Sequence, residues 1–516
     1  MLDETINKSK EDLISEIEKR VEDKIIEKSN ADLLIKLINN SDSLSEAISI
    51  AQLGTTYKRT GFHFDKRLEK MDNTIKYFKK NNDLSFINDE SKLTHKLIIG
   101  DNYDALLNLL VEYRNKIDVI YIDPPYGKDS MGEFAETNYN NAITRDNLLS
   151  MLYPRLELAK QLLSDDGVIF CSMDDRNQAY VKCLMDEIFQ EVNFIANIVW
   201  KSKRGRDNSA KWFSKAHEYT IVYGKNKSLV NFSRLGLDEA TKKAYKNPDN
   251  DPRGDYRMLA CWARGTQGGV EYEFDTKDGY HFSKRLWLFS KENLKKLDDS
   301  DKLIRRGDNL YRKMFLTENE GKIPETLWDD TSNAANASDE LKSIFGEILF
   351  DTPKPTPYIE RMLKISTKPE SIILDFFAGS GTTGQAVLNL NRQDNGKRKF
   401  ILCQSDENKI GSNTTARRLK RVMTGECYDG TKDFKWIENN EPYKDNLDVY
   451  NIEKVANFES TENKTPFDVI DETLYGVDKF SSIKDKIEWV CNNFEHTQKN
   501  IETDNAWKER LESEQC

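Results

Sequence analysis

Long apolar runs are missing from this chain of 516 residues, whose mean hydropathy is −0.72. No stretch approaches the roughly 18 apolar residues of a membrane-crossing helix, so no such helix is expected. Cysteine is sparse, seven in all, odd in number and without a CxxC pair. That excludes a disulfide framework and a cysteine zinc site as organising devices. The five histidines (His63, His95, His217, His281 and His496) lack metal-ligand spacing. Structural or surface roles are expected for them, and no metal site. Met1-Leu2-Asp3-Glu4 carries neither the basic region nor the apolar segment of a secretory signal, so a reduced, cytoplasmic protein is the expectation. No Walker A sequence occurs, so ATP-driven work would fall to another chain.

Positive charge is also in deficit: 77 Lys and Arg face 88 Asp and Glu, a net of −11. On that figure alone nucleic acid is not an expected partner. The balance is uneven, however. Residues 201–316 hold 26 basic and 16 acidic side chains, a net of +10, whereas residues 421–516 hold 12 and 22, a net of −10. Apolar material is ample, at 38% hydrophobic and 10% aromatic, and at roughly 150 residues per domain the length suggests two to four units.

Leu13, Ile17, Val21 and Ile25 recur every four residues, which predicts a helical N-terminal segment, 1–54, packing one stripe on the body. Thr55–Asp65 reads as a surface stretch. From residue 93 strands and helices alternate. Leu97–Ile99 and Ile117–Ile122 read as buried strands, Met151–Leu163 as a helix, and Val168–Cys171 as a strand after the turn Asp165-Asp166-Gly167. Such alternation predicts a parallel α/β sheet. It is lost over about 196–350 and returns with helix Thr356–Ile365, strand Ser371–Leu374, helix Thr382–Leu390 and strand Phe400–Cys403. The expected layout is therefore one α/β domain (55–195 and 351–425) interrupted by an insert (196–350), with an acidic segment (426–516) whose stretch Ile483–Phe494 reads as a packed helix. The acidic segment is expected to make dimer or subunit contacts.

Two corners carry chemistry. After the strand Ile372–Leu374 comes Asp375-Phe376-Phe377-Ala378-Gly379-Ser380-Gly381-Thr382-Thr383-Gly384, then a helix. Glycines permit a sharp turn and close approach to a ligand, and the helix start offers free N–H groups. Gln385-Ala386 in place of Lys-Ser/Thr disfavours a phosphate-binding P-loop. A nicotinamide dinucleotide and a nucleoside cofactor such as S-adenosylmethionine both stay open, and in the latter case Asp375 can accept from the ammonium.

The second corner is Asp123-Pro124-Pro125-Tyr126, at the carboxyl end of a buried strand. Two prolines cannot continue a central strand and lock a rigid, extended turn. An Asp123 oxygen and the Pro124 carbonyl can each accept one N–H of an exocyclic amine, aiming its lone pair, while Tyr126 stacks on the base. A base inside a duplex would have to be flipped out to reach it.

With these two motifs in this order the chain resembles the β-class amino-methyltransferases of DNA. Gly100-Asp101-Asn102, Tyr153-Pro154-Arg155-Leu156, Asp165–Phe170, His217-Glu218-Tyr219 and Thr352-Pro353-Lys354-Pro355 make the flanks similar to the modification subunit of Type III restriction-modification systems. The resemblance, over residues 55–425, implies a Rossmann-like sheet interrupted by a target recognition domain, and transfer of methyl from S-adenosylmethionine to adenine N6 in duplex DNA. By the same resemblance Asp123, Pro124, Pro125 and Tyr126 hold the flipped base. Asp375, Phe377, Ala378, Gly379 and Gly381 hold the methyl donor, aided by Asp101, Lys354 and Thr356. The family's acidic ribose ligand has no direct match, since the strand ends Cys403-Gln404, which leaves Gln404 or Asp406. A homodimer and a separate ATP-dependent restriction subunit are implied partners. A solitary or Type II enzyme and N4-cytosine specificity remain alternatives, with a nicotinamide-dependent oxidoreductase or a non-enzymatic DNA-binding scaffold more distant. No Pro-Cys dipeptide is present, so C5-cytosine chemistry through a cysteine nucleophile is not expected.

In the basic stretch, Lys201, Lys203, Arg204, Arg206 and Lys211 are the candidate DNA contacts. The aromatics Tyr256, Trp262, Tyr272 and Trp287 are expected in a core rather than on DNA.

Overall fold

Alternating buried strands and helices assemble into one large sheet in a computed structural model that describes residues 9–22, 28–53, 74–127, 145–206, 208–263 and 268–456. The stretch Thr55–Asp65 and the helix expected at Ile483–Phe494 lie outside the described residues. The chain divides into two units, residues 1–65 and 66–516.

In the first unit, helices α1 (Lys10–Glu22), α2 (Lys28–Asn39) and α3 (Leu44–Leu53) pack on one another. Leu13 and Ile17 are buried with Ala31, Ile38, Ala47 and Ala51 in a core that the three helices form among themselves. Three short amphipathic helices supply each other's apolar cover, at about 1.5–3 kcal/mol per fully buried Leu or Ile.

The second unit is built on strands β1 (Thr74–Lys80), β2 (Thr94–Ile99), β3 (Ile117–Ile122), β4 (Leu163–Met173), β5 (Phe194–Trp200), β6 (Glu218–Gly224), β7 (Tyr256–Ala260), β8 (Val270–Asp275), β9 (His281–Trp287), β10 (Leu303–Arg306), β11 (Asn309–Phe315), β12 (Leu327–Trp328), β13 (Ile372–Asp375), β14 (Lys399–Gln404) and β15 (Asn446–Ala456). Its helices are α4 (Asn102–Tyr113), α5 (Arg145–Leu162), α6 (Gln178–Phe189), α7 (Glu239–Lys242), α8 (Lys291–Asp299), α9 (Ala334–Phe345), α10 (Thr356–Ser366), α11 (Thr382–Asp394), α12 (Arg417–Thr424) and α13 (Trp436–Asn439). The main sheet runs β1-β15-β2-β14-β13-β3-β4-β6-β5-β12, with β15, β2, β14, β13, β3 and β4 mutually parallel. This is the expected Rossmann-like α/β arrangement, and its central strands β3, β13 and β14 are the apolar runs that the sequence marks as buried.

Two expected boundaries move. Strands β5 and β6 pair with each other, and β6 with β4, so the sheet continues past residue 195 into the stretch read as insert. Their alternation is hidden by the long polar loop that joins them. Among the described residues the other sheets are a three-stranded one, β10-β11-β7, and the hairpin β8-β9, with α8 packed into their core. Trp287 and Tyr256 are buried there and Trp262 and Tyr272 partly so, the core role expected of them. The acidic segment read as a subunit contact also starts inside the fold. Strand β15 lies between β1 and β2 and buries Leu447 and Val449, a pairing that its charged neighbours conceal in the sequence. Among the described residues no helix is long and apolar enough to cross a membrane, and no group of three or more His, Cys, Asp or Glu could hold a metal ion.

Candidate active site

Strands β3 and β13 are direct neighbours, with Val119 opposite Ile373 and Ile120 opposite Leu374. From β13 the chain passes through α11 to β14 on one side; from β3 it passes through α5 to β4 on the other. The order of the sheet therefore reverses between them, and the crevice at their carboxyl ends is where sheets of this kind take ligands. Asp123-Pro124-Pro125-Tyr126 and the glycine turn, far apart in sequence, meet at this point.

At the first corner, Lys354 Nζ donates to both carboxylate oxygens of Asp123, each at 2.8 Å, and to the Tyr126 hydroxyl at 2.8 Å. That hydroxyl donates to Glu218 Oε2 at 3.0 Å, and Lys354 lies 3.4 Å from the same oxygen. Pro353 and Pro355 restrict the backbone on either side of Lys354, which presents its side chain from the entry to α10. The Tyr126 carbonyl is held by Asn177 Nδ2 at 2.6 Å, and Arg145 Nε holds Asn177 Oδ1 at 2.9 Å. Behind the corner Trp200 stacks on Tyr358, ring centroids 4.3 Å apart, which docks α10 against β5. Loss of solvation pushes the Asp123 carboxyl pKa up, against the opposing Lys354 ammonium. For Lys354 the same burial pulls down, but Asp123 and Glu218 win and hold its pKa above the ordinary value. Lys354 thus stays a cation clamped on the carboxylate.

At the second corner Gly379 (φ +53°) and Gly381 (φ +82°) adopt the left-handed conformation that side chains disfavour. A Cβ on Gly379 would come 3.0 Å from the Phe350 ring. Gly379 N–H donates to Gln404 Oε1 at 2.7 Å, and Thr415 Oγ1 donates to the Gly379 carbonyl at 2.6 Å. Gly384 has another purpose: a Cβ there would meet Leu419 at 2.9 Å, so it lets α11 pack on α12. The buried Asp375 accepts from Phe377 N–H at 3.0 Å and from Thr383 Oγ1 at 2.5 Å, and burial pushes its carboxyl pKa up to about 7. Ala378 is buried and Phe377 partly so, its ring 5.3 Å from that of Phe376. Asp101 caps α4 by accepting from Tyr103 N–H, and Arg155 NH2 reaches both its oxygens at 3.2 Å. Arg155 also bonds Asn102, which in turn holds the Phe376 carbonyl.

Of the residues assigned to the donor, Asp375, Asp101 and Gln404 have the protein partners just named, and Lys354, Thr356 and Asp406 are engaged as well. Lys354 joins the Asp123 corner, because α10 enters from the β6 side of it. The buried Thr356 donates to Glu340 Oε2 at 2.6 Å and accepts from Arg418 at 3.3 Å. Asp406 accepts from the backbone and hydroxyl of Ser412, at 2.8 and 3.1 Å, and so braces the π-helical turn Ile410–Ala416. Gln404 reaches the site by holding the glycine turn. Glu218, Asn177, Arg155 and Asn102 were not assigned from the sequence. Glu218, Arg155 and Asn102 lie in the flanking motifs already noted, whereas Asn177 carries no local signal. Lys201, Lys203, Arg204, Arg206 and Lys211 are all exposed on the loop between β5 and β6.

Residues 117–415 match the family model described as DNA methylase, and residues 4–119 match a model described only as an uncharacterised conserved protein. The chain is 35% identical to the Type III restriction-modification enzyme StyLTI Mod subunit of Salmonella typhimurium, over 64% of this chain and 55% of the relative. It is 32% identical to the EcoPI Mod subunit of Escherichia phage P1, over 62% and 59%. With the Type II methyltransferase M.KpnI of Klebsiella pneumoniae the identity is 34%, over 60% and 80%. The chain thus spans between half and two thirds of the two Mod subunits. Since the family model covers more than half of the chain, and both motifs fall within it, the chain belongs to the N6/N4 DNA methylase family.

Proposed function

We propose that this protein transfers a methyl group from S-adenosylmethionine to adenine N6 in duplex DNA, as the modification subunit of a Type III restriction-modification system. One observation carries the reading. The rigid Asp123–Tyr126 corner, with its carboxylate and aromatic ring, opens beside a glycine turn on the adjacent strand. The resemblance to two Type III Mod subunits supports the system assigned. A homodimer and a separate restriction subunit belong to the same proposal, as does target recognition by the lobe containing β7 to β11.

The residues present fit the donor. A Cβ at Gly379 would press on the Phe350 ring at 3.0 Å, the Asp101 carboxylate stands half-exposed at the same sheet edge, and Phe377 offers a ring. When bound, S-adenosylmethionine supplies an electrophilic methyl on a sulfonium. The protein's part is positioning. Asp123 and the Pro124 carbonyl would accept the two amine hydrogens, which would leave the nitrogen lone pair free to attack, and positive charge growing on nitrogen would meet a carboxylate. Tyr126, its hydroxyl held by Lys354 and Glu218, keeps its ring at a fixed angle for stacking. No covalent intermediate is required.

The test is incubation with labelled S-adenosylmethionine and duplex DNA, followed by digestion to nucleosides. Label in N6-methyladenine is expected; label only in N4-methylcytosine, or none, overturns the reading. Asp123→Ala should abolish transfer with donor binding retained. Sequencing of the methylated DNA then gives the recognition site.

A further inference from the structure

Strand β6 runs antiparallel to β4, so its first residue lies at the carboxyl edge of the parallel strands, the edge that bears the Asp123 corner. That residue, Glu218, bonds Tyr126 directly. The loop between β5 and β6 therefore springs from the rim of the candidate active site. Its base is tied: Trp200 pairs with Glu218, and Lys203 N–H donates to the Ala216 carbonyl at 3.2 Å. Beyond that rung, Trp212 is 82% exposed and Phe213 is 92% exposed, more than any other large hydrophobic side chain among the described residues. Lys211 Nζ lies 5.1 Å from the centroid of the Trp212 ring, and Lys201, Lys203, Arg204, Arg206 and Lys215 are exposed on the same loop.

Two adjacent aromatic rings held in water are costly unless something covers them. Six exposed cations on one loop are unlike the centre of a protein–protein interface, where lysine is depleted. They match a phosphate backbone. Flat apolar side chains of this kind enter between base steps in DNA-bending proteins, and extraction of a base leaves a gap of that shape.

We propose that Trp212 and Phe213 form a wedge that enters the duplex beside the target base and fills the stack as that base turns into the Asp123 corner. The cations of the same loop seat the wedge on the backbone. This rests on the reading of the protein as a DNA methyltransferase.

The test compares the full-length protein with its W212A/F213A variant on a duplex oligonucleotide carrying the methylated site. On the fully paired duplex, the variant should transfer methyl about tenfold more slowly or worse, the order set by the cost of unstacking a base step. Donor binding and thermal unfolding should be unchanged, since both side chains are exposed. On a duplex whose target base faces an abasic site, already loosened, transfer by the variant should recover towards that of the unmodified protein. A K203A/R204A/R206A variant should instead weaken binding to both duplexes alike and flatten its salt dependence. Equal rates for W212A/F213A and the unmodified protein on paired DNA overturn the wedge, as does equal impairment on both duplexes. Absence of transfer by the unmodified protein removes the parent reading and the wedge with it.

Discussion

Lys354 Nζ bridges both carboxylate oxygens of Asp123 at 2.8 Å across 231 positions of sequence, and the same ammonium reaches Tyr126 and Glu218. The catalytic corner is thus an ion cluster drawn from three stretches of chain. An entering amine must take over acceptor capacity that Lys354 now uses. The lysine's bonds go to the Asp123 corner, which is where a positioning group for that carboxylate would stand.

Substitution Lys354→Met should accordingly lower methyl transfer about tenfold or more while donor affinity stays within about twofold, because a partly buried carboxylate loses a cation bonded to both its oxygens. Burial already pushes the Asp123 carboxyl pKa up and Lys354 opposes it. Without that ammonium the pKa rises further, so the acid limb of the pH–rate profile should move to higher pH. A pH profile of transfer together with equilibrium dialysis of labelled donor checks both, and a large fall in donor affinity would return Lys354 to the cofactor side.

Gln404→Ala removes the acceptor of Gly379 N–H and loosens the glycine turn. The donor dissociation constant should rise about fivefold, the equivalent of roughly 1 kcal/mol for one hydrogen bond. Calorimetric titration with S-adenosylmethionine measures it. The Gln404→Glu variant, which keeps an acceptor, should fall between.

Asp375 makes stability depend on pH. Its carboxyl pKa, ordinarily 3.8, is raised to about 7 by burial. Between these values the native state binds more protons than the unfolded state, so stability falls as pH rises through this window and levels off above about 7. The expected loss is of the order of 1.4 kcal/mol per pH unit within it. An Asp375→Asn variant lacks this titration. From pH 5 to pH 8, thermal unfolding should show the unmodified protein losing ground to the variant; parallel curves would refute the assignment.

Arg418 is fully buried and bonds Gln385, Ser380, Thr382, Glu340 and Thr356. Arg418→Met takes the cation from the Glu340 carboxylate, which keeps its bonds from Thr356 and Gln385, and should cost about 1.5–3 kcal/mol. The double variant Arg418→Met/Glu340→Gln should recover part of that loss, because the remaining partner is then neutral. Denaturant unfolding of the two proteins gives the comparison.

Much of the site is legible from residue order alone. Val119–Ile122 and Ile372–Leu374 are continuous apolar runs, which a strand buried on both faces requires, and each ends in a turn whose residues dictate its geometry: two prolines in one case, left-handed glycines in the other. The alternation around them calls for parallel strands, and in such a sheet both turns must lie on the carboxyl edge. β5, β6 and β15 escaped this reading, because a long polar loop separates β5 from β6 and charged residues are interspersed along β15.

What the sequence determined by itself was therefore the local chemistry: which turns are rigid, which strands are buried, and which family these motifs resemble. Partnership was decided by the tertiary structure alone. Thr356 and Asp406 carry side chains suited to a ligand, yet packing spends them on Arg418 and Ser412. Glu218, Asn177 and Arg155 reach the site from β6, from the segment before α6 and from α5. The physical reason is that a hydrogen bond or ion pair depends on a few ångströms of separation between chain segments, and that separation is set by how the whole sheet and its helices pack, not by any stretch of residues read alone.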